Sequence, residues 1–257
     1  MKRRELVKYA GAGFLASLGL GIGASLQTVR AQSSGVTVRW LGHTSFLFAG
    51  DGRRLLVNPF RTIGCTAGYQ PITVEADLVM ISSRLFDEGY LQDVPGNPQV
   101  MAEPGTYSFG DLTVQGTLVA HDRENGRRFG ENVIWKWNQG GMNIVHMGGA
   151  AAPIAIEEQI LLGRPDVLLL PVGGGPKAYN AEEAAQTVRT LQPKLVIPTH
   201  YRTQAADPEN CDIEGLDEFL SLMQGLTVNR ANGDTVNLQA SNLPTQAPQI
   251  QLFSYPF

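Results

Sequence analysis

The chain contains only four histidines, His43, His121, His146 and His200. Imidazole moves protons near neutral pH and ligates transition metals, so the placement of these four side chains bears directly on chemistry. Each lies at the C-terminal end of an apolar, strand-like run or just after one. Strand ends are where the loops of α/β folds converge on a site. Asp87 and Glu88 add adjacent carboxylates, and Arg84 adds a cation three residues before Asp87. The chemistry open to such a set is metal-assisted hydrolysis, general-base catalysis by Asp87 or His121, or capture of an anion. Two other chemistries lack their signatures. There is no Gly-x-Ser-x-Gly nucleophile motif. Gly173-Gly174-Gly175 is not followed by the Lys-Ser/Thr of a phosphate-binding loop and reads as a tight turn at a strand end. Arg123, Arg127 and Arg128, interspersed with Glu124 and Glu131, read as a solvated loop beside His121 or the rim of a substrate entrance.

The elements that must position these residues follow from apolar patterning. Strands are expected at 36–40, 45–48 and 54–57, with a Gly50-Asp51-Gly52 turn between the second and third. Residues 78–81 form a continuous apolar run suited to a strand covered on both faces. Further strands are expected at 112–120, 133–137, 143–145, 167–170 and 195–197. A helix fits 154–162. Asn180 and Glu183 form a capping box for another, whose residues Ala181, Ala184, Ala185, Val188 and Leu191 share one face. A third helix is expected to open at Asp212, with Leu216, Phe219, Leu220 and Met223 inward, and the Pro- and Gln-rich tail from Ser241 to be an extended strap or mobile. A β-rich first half followed by alternating strand and helix suggests two sheets covered by helices, in one domain.

The sequence has 257 residues, 43% hydrophobic and 17% charged, with a net charge of −4. Disorder, collagen and coiled coil are excluded as global descriptions. The acidic balance argues against a dedicated nucleic-acid binder. Residues 1–31 carry five basic residues and one acidic, so the remaining 226 residues have a net charge of −8. The basic Lys2-Arg3-Arg4, the mildly apolar stretch 10–26 and the Val29-Arg30-Ala31 cleavage pattern resemble a twin-arginine signal peptide. Export through that machinery to the periplasm or an equivalent lumen is expected, with membrane anchoring as the outcome if the signal is retained. In that compartment Cys65 and Cys211 could form one intramolecular bridge, but nothing in the sequence brings them together, and two unpaired thiols are the expectation. Oligomeric state carries no sequence signature.

Trp40-Leu41-Gly42-His43-Thr44-Ser45-Phe46 followed by Leu55-Leu56-Val57-Asn58-Pro59 resembles the opening of metallo-β-lactamase-fold hydrolases, in the branch of the ascorbate-phosphate lactonases. Ala76–Ser82 resembles the strand leading into that family's metal loop, Asp166–Gly174 its penultimate strand and loop, and Val196–Tyr201 the strand ending in its last histidine ligand. The resemblance spans 36–205 and implies a four-layer αββα sandwich, with residues 32–257 as one domain.

It also exposes a departure. The family's H-x-H-x-D-H loop reads Ser83-Arg84-Leu85-Phe86-Asp87-Glu88 here, and the bridging Asp expected after His146-Met147-Gly148 is Gly149. Asn58 replaces the usual Asp before Pro59. By the resemblance, His121 and His200 stand at ligand positions, but the standard dinuclear zinc centre is not expected. The preferred reading is a non-catalytic or strongly altered member binding a small anionic ligand through Arg84, His43 and His146. The alternative is a hydrolase of an ester, lactone or phosphate bond using one zinc, iron or manganese ion, held by Asp87 and His200 with Glu88 and His121 as further ligands.

Overall fold

The computed structural model describes residues 35–257; the expected signal peptide over 1–31 lies outside them. Chain direction in the first half is set by short turns. β1 (Val36–Gly42), β2 (Ser45–Gly50) and β3 (Arg53–Val57) form an antiparallel meander, and β4 (Leu78–Met80) and β5 (Gln99–Met101) extend it in parallel. β13 (Thr235–Leu238) pairs antiparallel with β1 and completes a six-stranded sheet.

The second sheet has eight strands. Its antiparallel part runs through β6 (Gly105–Phe109), β7 (Leu112–Ala120), β8 (Glu131–Gln139) and β9 (Met142–His146). Its parallel part continues through β10 (Val167–Pro171), β11 (Leu195–Thr199), β14 (Gln249–Leu252) and β12 (Thr227–Arg230). β10 and β11 are buried at every position and read as unbroken apolar runs, as parallel strands covered on both faces do.

One core lies between the sheets, where Trp40, Phe46, Phe48, Leu55, Trp135 and Trp137 meet Leu169 and Ile197. A second core joins the other face of the eight-stranded sheet to α1 (Ile156–Leu162), α2 (Ala181–Leu191) and α3 (Asp217–Leu222), through Leu162, Ala184, Val188 and Phe219. The expected capping box of α2 is present: Asn180 Oδ1 accepts from Glu183 N at 2.9 Å, and Glu183 Oε2 accepts from Asn180 N at 2.9 Å. Residues 35–257 form one compact unit, and among them no helix is long and apolar enough to cross a membrane.

Three local expectations are corrected. The helix expected from Asp212 begins only at Asp217, because Glu214 is drawn into backbone bonds with Gly173 and Arg202 at 2.7 Å each. The tail packs as an extended segment, and more closely than a strap over the surface: β14 is inserted into the sheet between β11 and β12. Cys65 and Cys211 are joined in a disulfide with their Cα atoms 4.7 Å apart. The backbone bonds Gly68 N to Ala205 O (2.7 Å) and Asp207 N to Gly64 O (2.9 Å) bring those two loops together.

Candidate metal centre

Strand ends from both sheets deliver the site. His43 sits in the two-residue turn between β1 and β2, with φ of 51°. Gly42 before it has φ of 114°, and a Cβ there would lie 2.6 Å from the Tyr69 ring, so only glycine fits this turn. His200 follows β11, also left-handed at φ of 50°, and its amide reaches the His43 carbonyl at 3.5 Å. Their rings lie 4.3 Å apart. Left-handed backbone at two non-glycine residues in one site is strain that surrounding structure must impose, and such strain clusters at functional sites.

The loop after β4 supplies the carboxylates. Asn58, at the end of β3, accepts from Ser82 N through Oδ1 at 2.8 Å and so anchors the start of this loop. Glu88 N and Gly89 N both bond to Leu85 O, at 3.1 and 2.8 Å, closing a turn. That turn sends the two adjacent side chains to different partners. Asp87 joins His43 and His200, and the three offer ligand atoms all within 4.8 Å of one another. Glu88 joins His121 instead, with Oε2 to Nε2 at 3.0 Å, and the Ser83 hydroxyl donates to the same oxygen at 2.9 Å.

Lys177, in the loop between β10 and α2, completes the arrangement. Its ammonium pairs with Asp87 Oδ2, the oxygen that faces His43 Nε2 at 3.7 Å. Its carbonyl bonds His121 Nδ1 at 3.0 Å. Arg123 fixes this loop by donating to Gly175 O and Ala178 O at 3.0 Å each, and to Glu183.

Burial alone would raise the pKa of Asp87, but the neighbouring His43 ring and the Lys177 charge hold it well below the usual carboxylate range. Burial likewise works against ionising Glu88 and His121, and their mutual attraction outweighs it, lowering the first and raising the second. His121 then donates from both ring nitrogens. His200 is held neutral by burial and by its neighbouring cations. His146 donates from Nε2 to Thr44 O at 2.9 Å and accepts from Gly148 N at 3.1 Å, and burial lowers its pKa to about 4.

The donor set fits one metal ion. His43 Nε2 and His200 Nδ1 are buried and make no hydrogen bond, and both residues belong to the cluster around Asp87. Two imidazoles and a carboxylate meet the minimum of three protein ligands. A dinuclear centre does not fit. A Cβ at Gly149, where the bridging Asp would begin, would lie 2.4 Å from His121 Cε1 and 2.7 Å from Glu88 Oε1.

Set against the sequence expectations, Asp87 and His200 are brought together, with His43 as the third donor rather than Glu88 or His121. His121, expected as a general base, has both ring nitrogens committed. His146, expected to bind a ligand, is locked in backbone bonds. Arg84 points away: its side chain is 75% exposed and pairs with Glu103 at 2.8 Å. The cation beside the carboxylates is Lys177, which sequence reasoning passed over. Its place at the C-terminal end of a buried parallel strand was the only signal.

This architecture and site define a metallo-β-lactamase-type protein, and sequence comparison agrees. The profile of the β-lactamase superfamily domain matches residues 37–200, and the chain belongs to that superfamily. A UPF0173 metal-dependent hydrolase of Thermococcus onnurineus is 31% identical over 206 residues, covering 68% of this chain and 89% of the relative. One from Thermoplasma acidophilum is 26% identical over 195 residues, covering 66% and 86%. Among solved structures, a metallo-β-lactamase-superfamily protein from Thermotoga maritima aligns with a TM-score of 0.69 at 24% identity, over 86% of this chain and all of that one. The isothiocyanate hydrolase from Delia radicum gut bacteria aligns at 0.56 and 14% identity, over 79% and 100%. These structural likenesses are likenesses of fold.

Proposed function

We propose that the protein is an exported, mononuclear metal-dependent hydrolase of an ester, lactone or phosphate bond. The observation that carries this reading is the gathering of His43, His200 and Asp87 in one cluster, each imidazole burying a ring nitrogen that makes no hydrogen bond. The metal-dependent hydrolases among its relatives support it. When bound, a zinc, iron or manganese ion supplies Lewis-acid polarisation of the scissile group. The protein's own residues do the rest. His43, Asp87 and His200 would hold the ion; Asn58 and the turn closed at Leu85 fix the angle of Asp87. The Ser83–Glu88–His121 group fills the space of the missing second site and keeps the floor rigid. The sequence resemblance to the ascorbate-phosphate lactonase branch is the ground for including a lactone or phosphate-bearing compound in the substrate class.

The twin-arginine signal over 1–31, with 32–257 as the mature domain, belongs to the same reading. The Cys65–Cys211 disulfide supports an oxidising compartment such as the periplasm. A second reading, a metal-free binder of a small anion, is favoured by one observation: the Lys177 ammonium already neutralises Asp87. Metal analysis of protein isolated after native export separates the two. About one equivalent of a transition metal is expected, and less than about 0.2 would overturn the hydrolase in favour of the binder.

A further inference from the structure

Lys177 stands apart from every other cation near the site. Its ammonium shares Asp87 Oδ2 with His43, so it sits on the oxygen that an ion held by His43, Asp87 and His200 would need. It is also in the outer layer. The Lys177 and Asp87 side chains are 21% and 19% exposed, against 1% for His43. The backbone on which Lys177 rides is held by His121 at its carbonyl and by Arg123 at Gly175 and Ala178. The loop is therefore fixed while the four-carbon stem is free to turn at its solvent-facing end.

We propose that Lys177 is a tethered counter-ion: it stands at Asp87 when no divalent ion is bound, is displaced as the ion enters, and then serves at the mouth of the site as the group that binds an anionic oxygen of the substrate. This rests on the mononuclear reading above and deepens it, naming the substrate class as one that carries a carboxylate or phosphate beside the bond to be cleaved. The argument is one of charge. Asp87 and Glu88 are balanced by Lys177 and His121. A divalent ion beside Asp87 would share its oxygen with an ammonium, and like charges at hydrogen-bond range repel strongly in a partly buried site. The histidines cannot move, because they are buried on constrained backbone. The lysine can. Once released it remains within a side chain's length of the ion; among the described residues it is the one lysine or arginine paired with Asp87.

The test uses the mature protein, stripped of metal, as wild type, Lys177→Met and Lys177→Arg. Zinc binding is measured by titration calorimetry, and binding of phenylphosphonate is then measured to the zinc-loaded forms. Expected are at least tenfold tighter zinc binding by Lys177→Met, no tightening by Lys177→Arg, and at least tenfold weaker phenylphosphonate binding by Lys177→Met. Unchanged zinc affinity in Lys177→Met overturns the counter-ion, and unchanged phenylphosphonate affinity overturns the anion-binding role; in both cases the mononuclear reading stands. Zinc binding by none of the three overturns that reading and this one together. Circular dichroism confirms folding, and Lys177→Gln replaces Lys177→Met should the apolar side chain fail to fold.

Discussion

Glu88 and His121 form a buried ion pair, with Oε2 and Nε2 at 3.0 Å and each side chain 1% exposed. Ser83 donates to the same Glu88 oxygen, and Gly149 leaves room for the pair by having no side chain. Two carboxylates and two cations thus stand where the superfamily's pattern would place two metal ions and their ligands. Each charge has a partner, which is the condition under which burial is tolerated.

Removing one partner leaves the other charge uncompensated. Glu88→Gln is expected to destabilise the protein by about 3–5 kcal/mol, read from urea unfolding. Replacing both by apolar residues, Glu88→Leu with His121→Phe, should recover most of that loss. A single substitution costing under about 1 kcal/mol would show that the pair does not hold the floor of the site.

His43 lies outside the ligand positions that the resemblance assigns, and its role is separable. His43→Ala should reduce bound zinc to less than about 0.2 equivalents, because two protein ligands do not hold the ion. Ser83→Ala, which removes a hydroxyl bonded to Glu88 and to Leu85 N and to none of the three ligand residues, should retain it. Elemental analysis of the purified variants reads both.

Stability should fall with acid through a residue outside the metal cluster. His146 is neutral in the fold with a pKa lowered to about 4 by burial, against an unfolded value near 6.5. Because the folded value is the lower, the unfolded chain takes up the proton first as pH drops. The contribution is complete above about pH 6.5, shrinks through the window down to about pH 4, and totals on the order of 3 kcal/mol. His146→Gln should flatten the pH dependence of unfolding across that window by this amount. An unchanged slope would mean that His146 is not held neutral.

The disulfide closes a loop across a sequence separation of 146 residues. Reduction, or Cys65→Ser with Cys211→Ser, is expected to cost about 2–5 kcal/mol and to lower the thermal midpoint by roughly 5–15 °C. Differential scanning calorimetry with and without reductant checks it, and coincident midpoints would refute it.

What could be read from sequence was what is local. β1 to β3, the buried strands β10 and β11, and the capping box of α2 carry their signals in consecutive residues. The ordered run of partial motifs from Trp40 to Tyr201 led to the superfamily. What escaped were relationships across long separations. Cys65 meets Cys211 because two loops exchange backbone bonds, which no spacing reveals. Lys177 meets Asp87 across 90 residues. Glu88 looked like a ligand because it replaces one; the turn closed at Leu85 aims it at His121. Asp212 looked like a helix start until Glu214 was claimed by Gly173 and Arg202. β14, Gln-Ile-Gln-Leu, alternates too briefly to stand out from its Pro-rich surroundings, although its Ile250 and Leu252 are buried.

That last strand has a consequence for how the molecule is made. β14 lies between β11 and β12, so β12 is joined to the larger sheet only through residues 249–252. Until they are synthesised, β11 presents an open edge next to the histidine loop, and β12 has nothing to pair with. Loss of β14 would therefore detach β12 and turn β11, whose end carries His200, into the exposed edge of the sheet.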